Sequence, residues 1–423
     1  MQNLERRFDI TRRSMRRIIR SFHSDMDKGL SGGRSSLKMI PTYVEMPTGR
    51  ERGRYIALDL GGTNFRVLEL LLKGGRKAGR PRIMKFALER RHIKGDAGIF
   101  FGFIAESVKK FLKRYRLPAG KVLYLGFTFS FPIRQTGIAS GLLMCWTKDF
   151  AVKGVVDRDV VGLMNAAFAG RGVRNINISA LVNDTVGTLA AKSYEDPACD
   201  IGVIIGTGTN ACYPEKLSAI KKWRGSGTQS GRMIINIEWG NFNKLAMTSY
   251  DRRLDAESDN PGRQILEKMV SGMYLGRIAR LVLKEMGIGL ARFETEHISL
   301  VEADTTSGLK RTAVLLSGLG LPGSSIEERR AVRRVCAMVS RRAARISASC
   351  IAAILIRLDP RISRAHTVAI DGSVFEKHPT FAKEMRTALK DIFAGKAYRI
   401  KLALAKDGSG KGAAIIAAVA ANR

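Results

Sequence analysis

The sequence predicts a chain of alternating strands and helices folded as two related domains. Three observations lead there: helix-like and strand-like periodicities alternate, one glycine-tipped hairpin occurs twice, and 423 residues exceed what one core of ordinary size holds. The first hairpin has a strand Tyr-Ile-Ala-Leu-Asp-Leu from Tyr55, the turn Gly61, Gly62, Thr63, Asn64, and a return strand from Phe65. The second runs from Ile201 to Ile205, turns through Gly206, Thr207, Gly208, Thr209 and Asn210, and returns from Ala211 to Tyr213. Aligning Asn64 with Asn210 superposes Gly-Gly-Thr-Asn on Thr-Gly-Thr-Asn, so a turn is repeated and not a solenoid unit of about 20–50 residues. Each glycine tip lets backbone N–H groups approach an oxyanion, so two tips suit the two ends of one polyphosphate.

Taken in order, the chain begins with an amphipathic helix. Met15, Ile18, Phe22, Met26 and Leu30 recur at steps of three and four, with Arg12, Arg13, Arg16, Arg17 and Arg20 on the other faces. It reads either as a helix docked on a domain or as an Arg-rich transit or membrane-surface segment, and Glu5, Asp9, Asp25 and Asp27 argue against transit. After the first hairpin a basic loop, Lys73 through Arg76, Lys77, Arg80 and Arg82, has no apolar period and reads as a solvated turn. Helix 98–115 and strand 122–127 follow. The C-terminal third is helical, with Arg329, Arg330, Arg333, Arg334, Arg341, Arg342 and Arg345 reading as a solvated face over a stripe of Val332, Val335, Met338, Val339 and Ile346, the alternative being a nucleic-acid-binding helix. A strand, Thr367 to Ile370, runs into Asp371, Gly372 and Ser373. A third glycine turn, Asp407 to Gly412, leads into an Ala/Ile helix.

The balance of 72 Lys and Arg against 38 Asp and Glu leaves a net charge of +34, and 45 of the basic residues are arginine, the better partner for phosphates. Nucleic acid, an anionic membrane and an anionic substrate all become candidates. Five scattered cysteines, 145, 199, 212, 336 and 350, form no disulfide framework and point to a reducing compartment. No stretch reaches the roughly 18 apolar residues of a spanning helix.

Between the glycine turns lie Leu125-Gly-Phe-Thr-Phe-Ser-Phe-Pro132, Trp146-Thr-Lys148, Leu181-Val-Asn-Asp-Thr185, Asn236-Ile-Glu-Trp-Gly240 and Asn260-Pro-Gly-Arg-Gln-Ile-Leu-Glu267. Together, in order and from about Lys38 to Ala420, these closely resemble the hexokinase family, in particular single-unit eukaryotic enzymes of protist type. The resemblance implies an α/β, two-domain actin-like ATPase (hexokinase) fold with a cleft between a small and a large domain. Residues 54–182, completed by a C-terminal helix 411–423, would form the small domain and 183–410 the large one. Residues 1–53 would be a helix and lead-in packed on the large domain.

The resemblance also implies ATP-dependent transfer to the 6-hydroxyl of glucose or a related hexose, the first step of glycolysis. The implied hexose contacts are Ser130, Thr147, Lys148, Asn183, Asp184, Asn210, Glu238, Gln264 and Glu267. Sugar hydroxyls offer donors and acceptors without charge, and this is the set of amides, hydroxyls and carboxylates that can bridge them. Seen alone, Asn183 and Asp184 read as a turn, Glu238 as a surface charge on a strand end, and Glu267 as a helix residue paired with Lys268. Asp184 is the implied base, ionised at neutral pH without any shift from its ordinary pKa of about 4. Lys148 would neutralise the transferring phosphoryl group. Asp59 would face Mg²⁺ through water. ATP would lie against Asp59, Gly61, Gly62, Thr63, Asn64, Arg66, Thr207, Gly208, Gly272, Gly372 and Ser373, with Gly410 and Lys411 on the hinge and nucleotide side.

Asp149 departs from the family's usual Gly, Arg263 and Arg277 replace acidic or neutral residues, and the stretch 287–302 is shortened. The expected partners are hexose and ATP in the cytoplasm, as a monomer or homodimer, without specific nucleic acid. Two uses of the N-terminal and other basic clusters stay open, weak association with an anionic surface and attachment to an organelle. A hexokinase-like sugar sensor or nucleic-acid-associated protein is the rival reading, and another sugar kinase of the same superfold the third.

Overall fold

A computed structural model describes residues 2–422 except Gly62, Thr63, Ala119, Lys148 and Ser226. In chain order the strands are β1 (Ile40–Pro41), β2 (Arg52–Leu60), β3 (Asn64–Lys73), β4 (Arg82–Ala87), β5 (Leu123–Phe129), β6 (Ile133–Gly137) and β7 (Ser140–Leu143). They continue with β8 (Ile176–Val182), β9 (Cys199–Ile205), β10 (Thr209–Lys216), β11 (Arg232–Asn236), β12 (His366–Asp371) and β13 (Ile400–Leu404). The sheets have the orders β4-β3-β2-β5-β8, β1-β11-β10-β9-β12-β13 and β6-β7. The chain divides into two compact units, one of Met1–Met39, Val203–Ala211 and Ile237–Leu404, the other of Ile40–Gly202, Cys212–Asn236 and Ala405–Arg423.

In the second of these units the first hairpin forms as the sequence predicts. β2 and β3 pair antiparallel with Asp59 opposite Arg66, and β5 and β8 add on parallel. Ile56, Leu58, Leu125 and Phe127 are fully buried, as are Phe100, Ile104, Val108 and Phe111 of the helix Ala97–Arg114, within one apolar core. The loop after β3 is shorter than expected, because Arg82 opens a further strand and pairs with the buried Glu69 at 3.2 Å. Arg76 is not left to solvent either: its guanidinium donates to the carbonyl of Ser193 at 3.0 Å.

The third glycine run is the first turn of the C-terminal helix, Gly408–Ala421, and not a turn before it. The reason is close packing against the helix Asp184–Glu195: a Cβ on Gly412 would lie 1.8 Å from the carbonyl oxygen of Gly187. The helix Asp184–Glu195 belongs to the same compact unit as the first hairpin.

In the first unit the helix Ile326–Leu358 is the spine, and the helices Arg12–Ser31 and Phe381–Phe393 pack on it. Met15, Phe22 and Met26 are fully buried, and Ile18 and Leu30 nearly so. Burying a side chain of this kind is worth roughly 1.5–3 kcal/mol, so the stripe is spent on the protein's own core and is not offered to a membrane. Thr11 caps this helix at Ser14 N–H (3.2 Å), and Gly32 ends it with φ 81°.

Arg345 is half-buried against Asp391 and the Ile10 carbonyl, and Arg342 departs furthest from the solvated face expected for these arginines. Arg342 is 2% exposed and forks onto Asp251, Nη1 to Oδ2 at 2.7 Å and Nη2 to Oδ1 at 2.8 Å, with its guanidinium 4.4 Å from the centre of the Phe8 ring. Its position follows the apolar spacing of Val335, Val339 and Ile346, which carries it inward.

Candidate active site

Of the residues expected at the site, Gly62, Thr63 and Lys148 lie outside the described residues. The others fall into separate groups in the two units.

In the unit that carries the first hairpin, Asp59 is buried beside the tip, and its Oδ2 accepts from the Arg66 guanidinium and, at 2.9 Å, from Ser409 Oγ. Arg66 also donates to Asp407, so one arginine bridges two carboxylates. The first contact is the cross-strand pair fixed by the β2–β3 register; the second joins residues 341 apart in the sequence. Gly61 and Ser130 are half-buried, and Ser130 N–H donates to the Leu60 carbonyl at 3.1 Å, which sets the end of β5 beside the hairpin tip. Asn64 is exposed and opens β3 opposite Ala87.

Asn183 is the N-cap of the helix Asp184–Glu195, its Oδ1 accepting Thr185 N–H at 3.0 Å. Asp184 is the first helical residue, half-buried, and its Oδ1 accepts the same N–H at 2.8 Å. A carboxylate in the first turn is favoured by the unsatisfied N–H groups there, which holds Asp184 in a defined place. Thr147 is exposed, its carbonyl accepting Phe150 N–H at 3.2 Å. Asp149 is exposed with φ 65°, a left-handed conformation that suits the glycine it replaces.

The other unit gathers two further groups around the second hairpin. In the first, Thr207, Gly208, Gly272, Gly372 and Ser373 surround Gly206. Gly272 N–H donates to the Gly206 carbonyl at 2.7 Å, Met273 N–H to the Thr207 carbonyl at 3.2 Å, and Gly206 N–H to the Gly208 carbonyl at 3.0 Å. Gly372 sits at φ 119°, where a Cβ would come within 2.4 Å of the Ile205 carbonyl oxygen, so the position admits only glycine. Ser373 then opens a short helix.

In the second group, Asn210 Nδ2 donates to Glu238 Oε1 at 3.1 Å, and Asn210 Oδ1 accepts Trp239 N–H at 3.3 Å. Glu267 Oε2 accepts Thr209 N–H at 2.9 Å. Gln264 precedes the helix Ile265–Val270 that carries Glu267, and its Oε1 accepts Asn260 Nδ2 at 2.5 Å. Lys268 does not pair with Glu267; it is buried and pairs with Asp255 at 2.6 Å.

Glu238 and Gln264 both have positive φ, 56° and 52°. Non-glycine residues held in that region cost of order 1–3 kcal/mol, and they cluster where function fixes the side chain. Asn210, Glu238, Gln264 and Glu267 are all half-buried, so their polar atoms keep one side toward solvent.

Several supporting residues sit inside the sequence motifs without having been given a role. Thr209 is the centre of the second group: its Oγ1 accepts the buried Trp239 Nε1–H at 2.9 Å and donates to the Ile204 carbonyl at 2.8 Å. Ser409, Asp407 and Asn260 act likewise on Asp59, Arg66 and Gln264. Each is a small polar or acidic residue close to a glycine, and which partner it finds depends on the tertiary fold.

Two family models described as hexokinase match the chain, over residues 1–194 and 200–419. The chain is 41% identical to Hexokinase-1 of Arabidopsis thaliana, over 96% of this chain and 87% of that protein. It is 42% identical to Hexokinase-7 of Oryza sativa, over 95% and 92%. With Hexokinase-2 of Homo sapiens it shares 38% identity over 95% of its own length and 46% of the longer human chain. A solved hexokinase of Schistosoma mansoni complexed with glucose matches with a TM-score of 0.84 at 37% identity, over 98% of this chain and 97% of that one. A second hexokinase crystal structure matches with a TM-score of 0.88 at 31% identity, over 99% and 98%. The mixed α/β architecture, the paired glycine turns and these likenesses agree: the chain belongs to the hexokinase family, enzymes that phosphorylate hexoses with ATP as donor.

Proposed function

We propose that this hexokinase transfers the γ-phosphoryl group of ATP to the 6-hydroxyl of glucose or a closely related hexose, with Asp184 as general base, and so performs the first step of glycolysis. The observation that carries this reading is the group built on Thr209, in which an amide and two carboxylates, Asn210, Glu238 and Glu267, are fixed by hydrogen bonds yet remain half-buried. Such a set can accept from and donate to neighbouring hydroxyls, and it charges a penalty to any ligand that leaves its polar atoms unpaired.

Ser130, Thr147, Asn183 and Gln264 complete the hexose contacts in this proposal, and Lys148 faces the transferring group. Asp184 receives the hydroxyl proton as the oxygen attacks phosphorus. A loose phosphoryl-transfer transition state needs that proton only late, so an ordinary carboxylate suffices. The turn around Gly206 and, separately, Gly61 after β2 are each suited to nucleotide phosphate oxygens through backbone N–H groups.

Mg²⁺ fits the donors beside the first hairpin. Asp59 offers a buried carboxylate and Ser409 a hydroxyl oxygen, while among the described residues no group of three or more His, Cys, Asp or Glu could hold a metal alone. That is the donor set expected where Mg²⁺ keeps water and substrate oxygens as most of its ligands, and when bound it would neutralise phosphate charge. Among the described residues no helix is long and apolar enough to cross a membrane. Purified protein with saturating Mg²⁺ and ATP should form ADP in a glucose-dependent way in a coupled assay. Hexose-independent ADP formation, or none, would overturn the proposal.

A further inference from the structure

The arginines at 330, 333 and 334 serve no function described so far, and they line a cavity of about 390 Å³ in the unit built on the spine helix. Spacings of three and four place all three on one face of Ile326–Leu358. Leu309 and Ile326 supply an apolar part of the wall and Thr306 a polar one.

The loop that supplies Thr306, Gly308 and Leu309 to the wall is held in place. Asp304 is fully buried, and its two oxygens accept four hydrogen bonds, from N–H and Oγ1 of Thr306 (2.9 and 2.5 Å) and of Thr312 (2.8 and 2.7 Å). Arg329 ties the same loop to the spine, Nη1 donating to the Gly308 carbonyl at 3.0 Å. The loop is held with Gly308 and Leu309 at φ 68° and 54°.

The charge in the cavity is not balanced. Arg334 pairs with Glu5 at 2.9 Å, whereas Arg330 and Arg333 are exposed and have no acidic partner among the described residues. Glu328 is committed to the helix cap, accepting Ser325 N–H at 2.7 Å.

We propose that this cavity is a binding site for a small organic phosphate ester, whose phosphate is taken by the forks of Arg330 and Arg333 and whose carbon part lies on Leu309 and Ile326. Guanidinium forks match phosphate oxygens two at a time, and the volume is in the range of roughly 300–1,000 Å³ usual for small-molecule sites. A long polyanion is the poorer fit, because the three arginines span only about 6 Å of helix and no aromatic residue among the described residues lines the cavity for base stacking. None of the lining residues belongs to the candidate active site.

The test is calorimetric titration of the whole protein with glycerol 3-phosphate and, separately, with inorganic phosphate, the active site being filled beforehand with glucose and the magnesium complex of β,γ-imido-ATP. One further site should appear, with the ester bound more tightly than inorganic phosphate. The double substitution Arg330→Ala and Arg333→Ala should weaken it at least about tenfold while kcat, KM and Tm stay unchanged. Arg330→Lys with Arg333→Lys keeps the charge but not the fork, and should also weaken it severalfold. Arg13→Ala with Arg16→Ala, equally exposed on another helix, should leave it intact. Absence of a further site in the unmodified protein overturns the proposal. So does equal weakening by the Arg13/Arg16 pair, which would mean diffuse charge, or competition by duplex DNA binding more tightly than the ester.

Discussion

Replacing Thr209 by Val changes the hydroxyl at the centre of the proposed hexose group for a methyl of nearly equal size. Thr209 is 5% exposed and Trp239 fully buried, so the Trp239 Nε1–H that donates to Thr209 Oγ1 at 2.9 Å has no water to turn to. A buried donor left without a partner costs about 1–3 kcal/mol. Trp239 follows the strained Glu238 directly, and Thr209 N–H holds Glu267, so the disturbance falls on two of the proposed hexose ligands. If all of it appeared in catalysis it would lower hexose kcat/KM by roughly 5- to 150-fold, since about 1.4 kcal/mol is tenfold. The assay pairs steady-state kinetics on glucose with urea unfolding followed by tryptophan emission. Thr209→Val should lose about 1–3 kcal/mol, divided between the two readouts. Thr209→Ser keeps the hydroxyl and should lose under about 1 kcal/mol, the worth of one buried methyl. Unchanged stability and kinetics in Thr209→Val would refute the reasoning, and so would an equal loss in Thr209→Ser, which would assign the effect to packing.

Two further outcomes concern the buried charges. Arg342→Met should destabilise the protein by about 3–5 kcal/mol, because it strands the Asp251 carboxylate in the core, and Arg342→Met with Asp251→Leu should recover most of that loss; chemical denaturation of the three proteins measures both. Burial alone would raise the pKa of Asp304, but its hydrogen bonds from Thr306 and Thr312 outweigh that and hold the carboxyl well below the usual carboxylate range. A depressed folded pKa gives stability that is present above the unfolded value of about 4 and lost as pH falls below it. Thermal unfolding between about pH 5 and pH 2 should therefore show a falling Tm, and Asp304→Asn should start lower at pH 7 and flatten that fall. A variant as acid-sensitive as the unmodified protein would remove Asp304 from this account.

The parts legible in the sequence were those whose cause is local. Alternating apolar residues around Gly61 to Asn64 gave a hairpin in the expected place, and the Met15 to Leu30 stripe marked a buried face. The parts that were not legible depend on residues far apart in the chain. Nothing near Asp59 announces that Ser409 will donate to it, and Arg342 reads as one more basic residue until Asp251 is brought beside it. The same holds for backbone conformation: Glu238 and Gln264 are recognisable as polar residues in motifs, but nothing in their side chains announces the positive φ that each adopts. The glycine run at 408 to 412 does start the expected helix, but it forms the helix's own first turn, and the cause is again distant in the chain. Glycines usually break helices, and here they lie inside one because neighbouring elements leave no room for a Cβ, Gly187 against Gly412 and Leu68 against Gly410.

The proposed catalytic base is tested most directly by pre-steady-state and steady-state kinetics of Asp184→Ala, with glucose binding measured on the same sample by calorimetry. General-base catalysis contributes about 10²- to 10⁴-fold, so kcat should fall by that factor while the glucose Kd stays within about an order of magnitude. Near-normal turnover, or a loss that comes entirely from failure to bind glucose, would contradict the assignment of the base to Asp184.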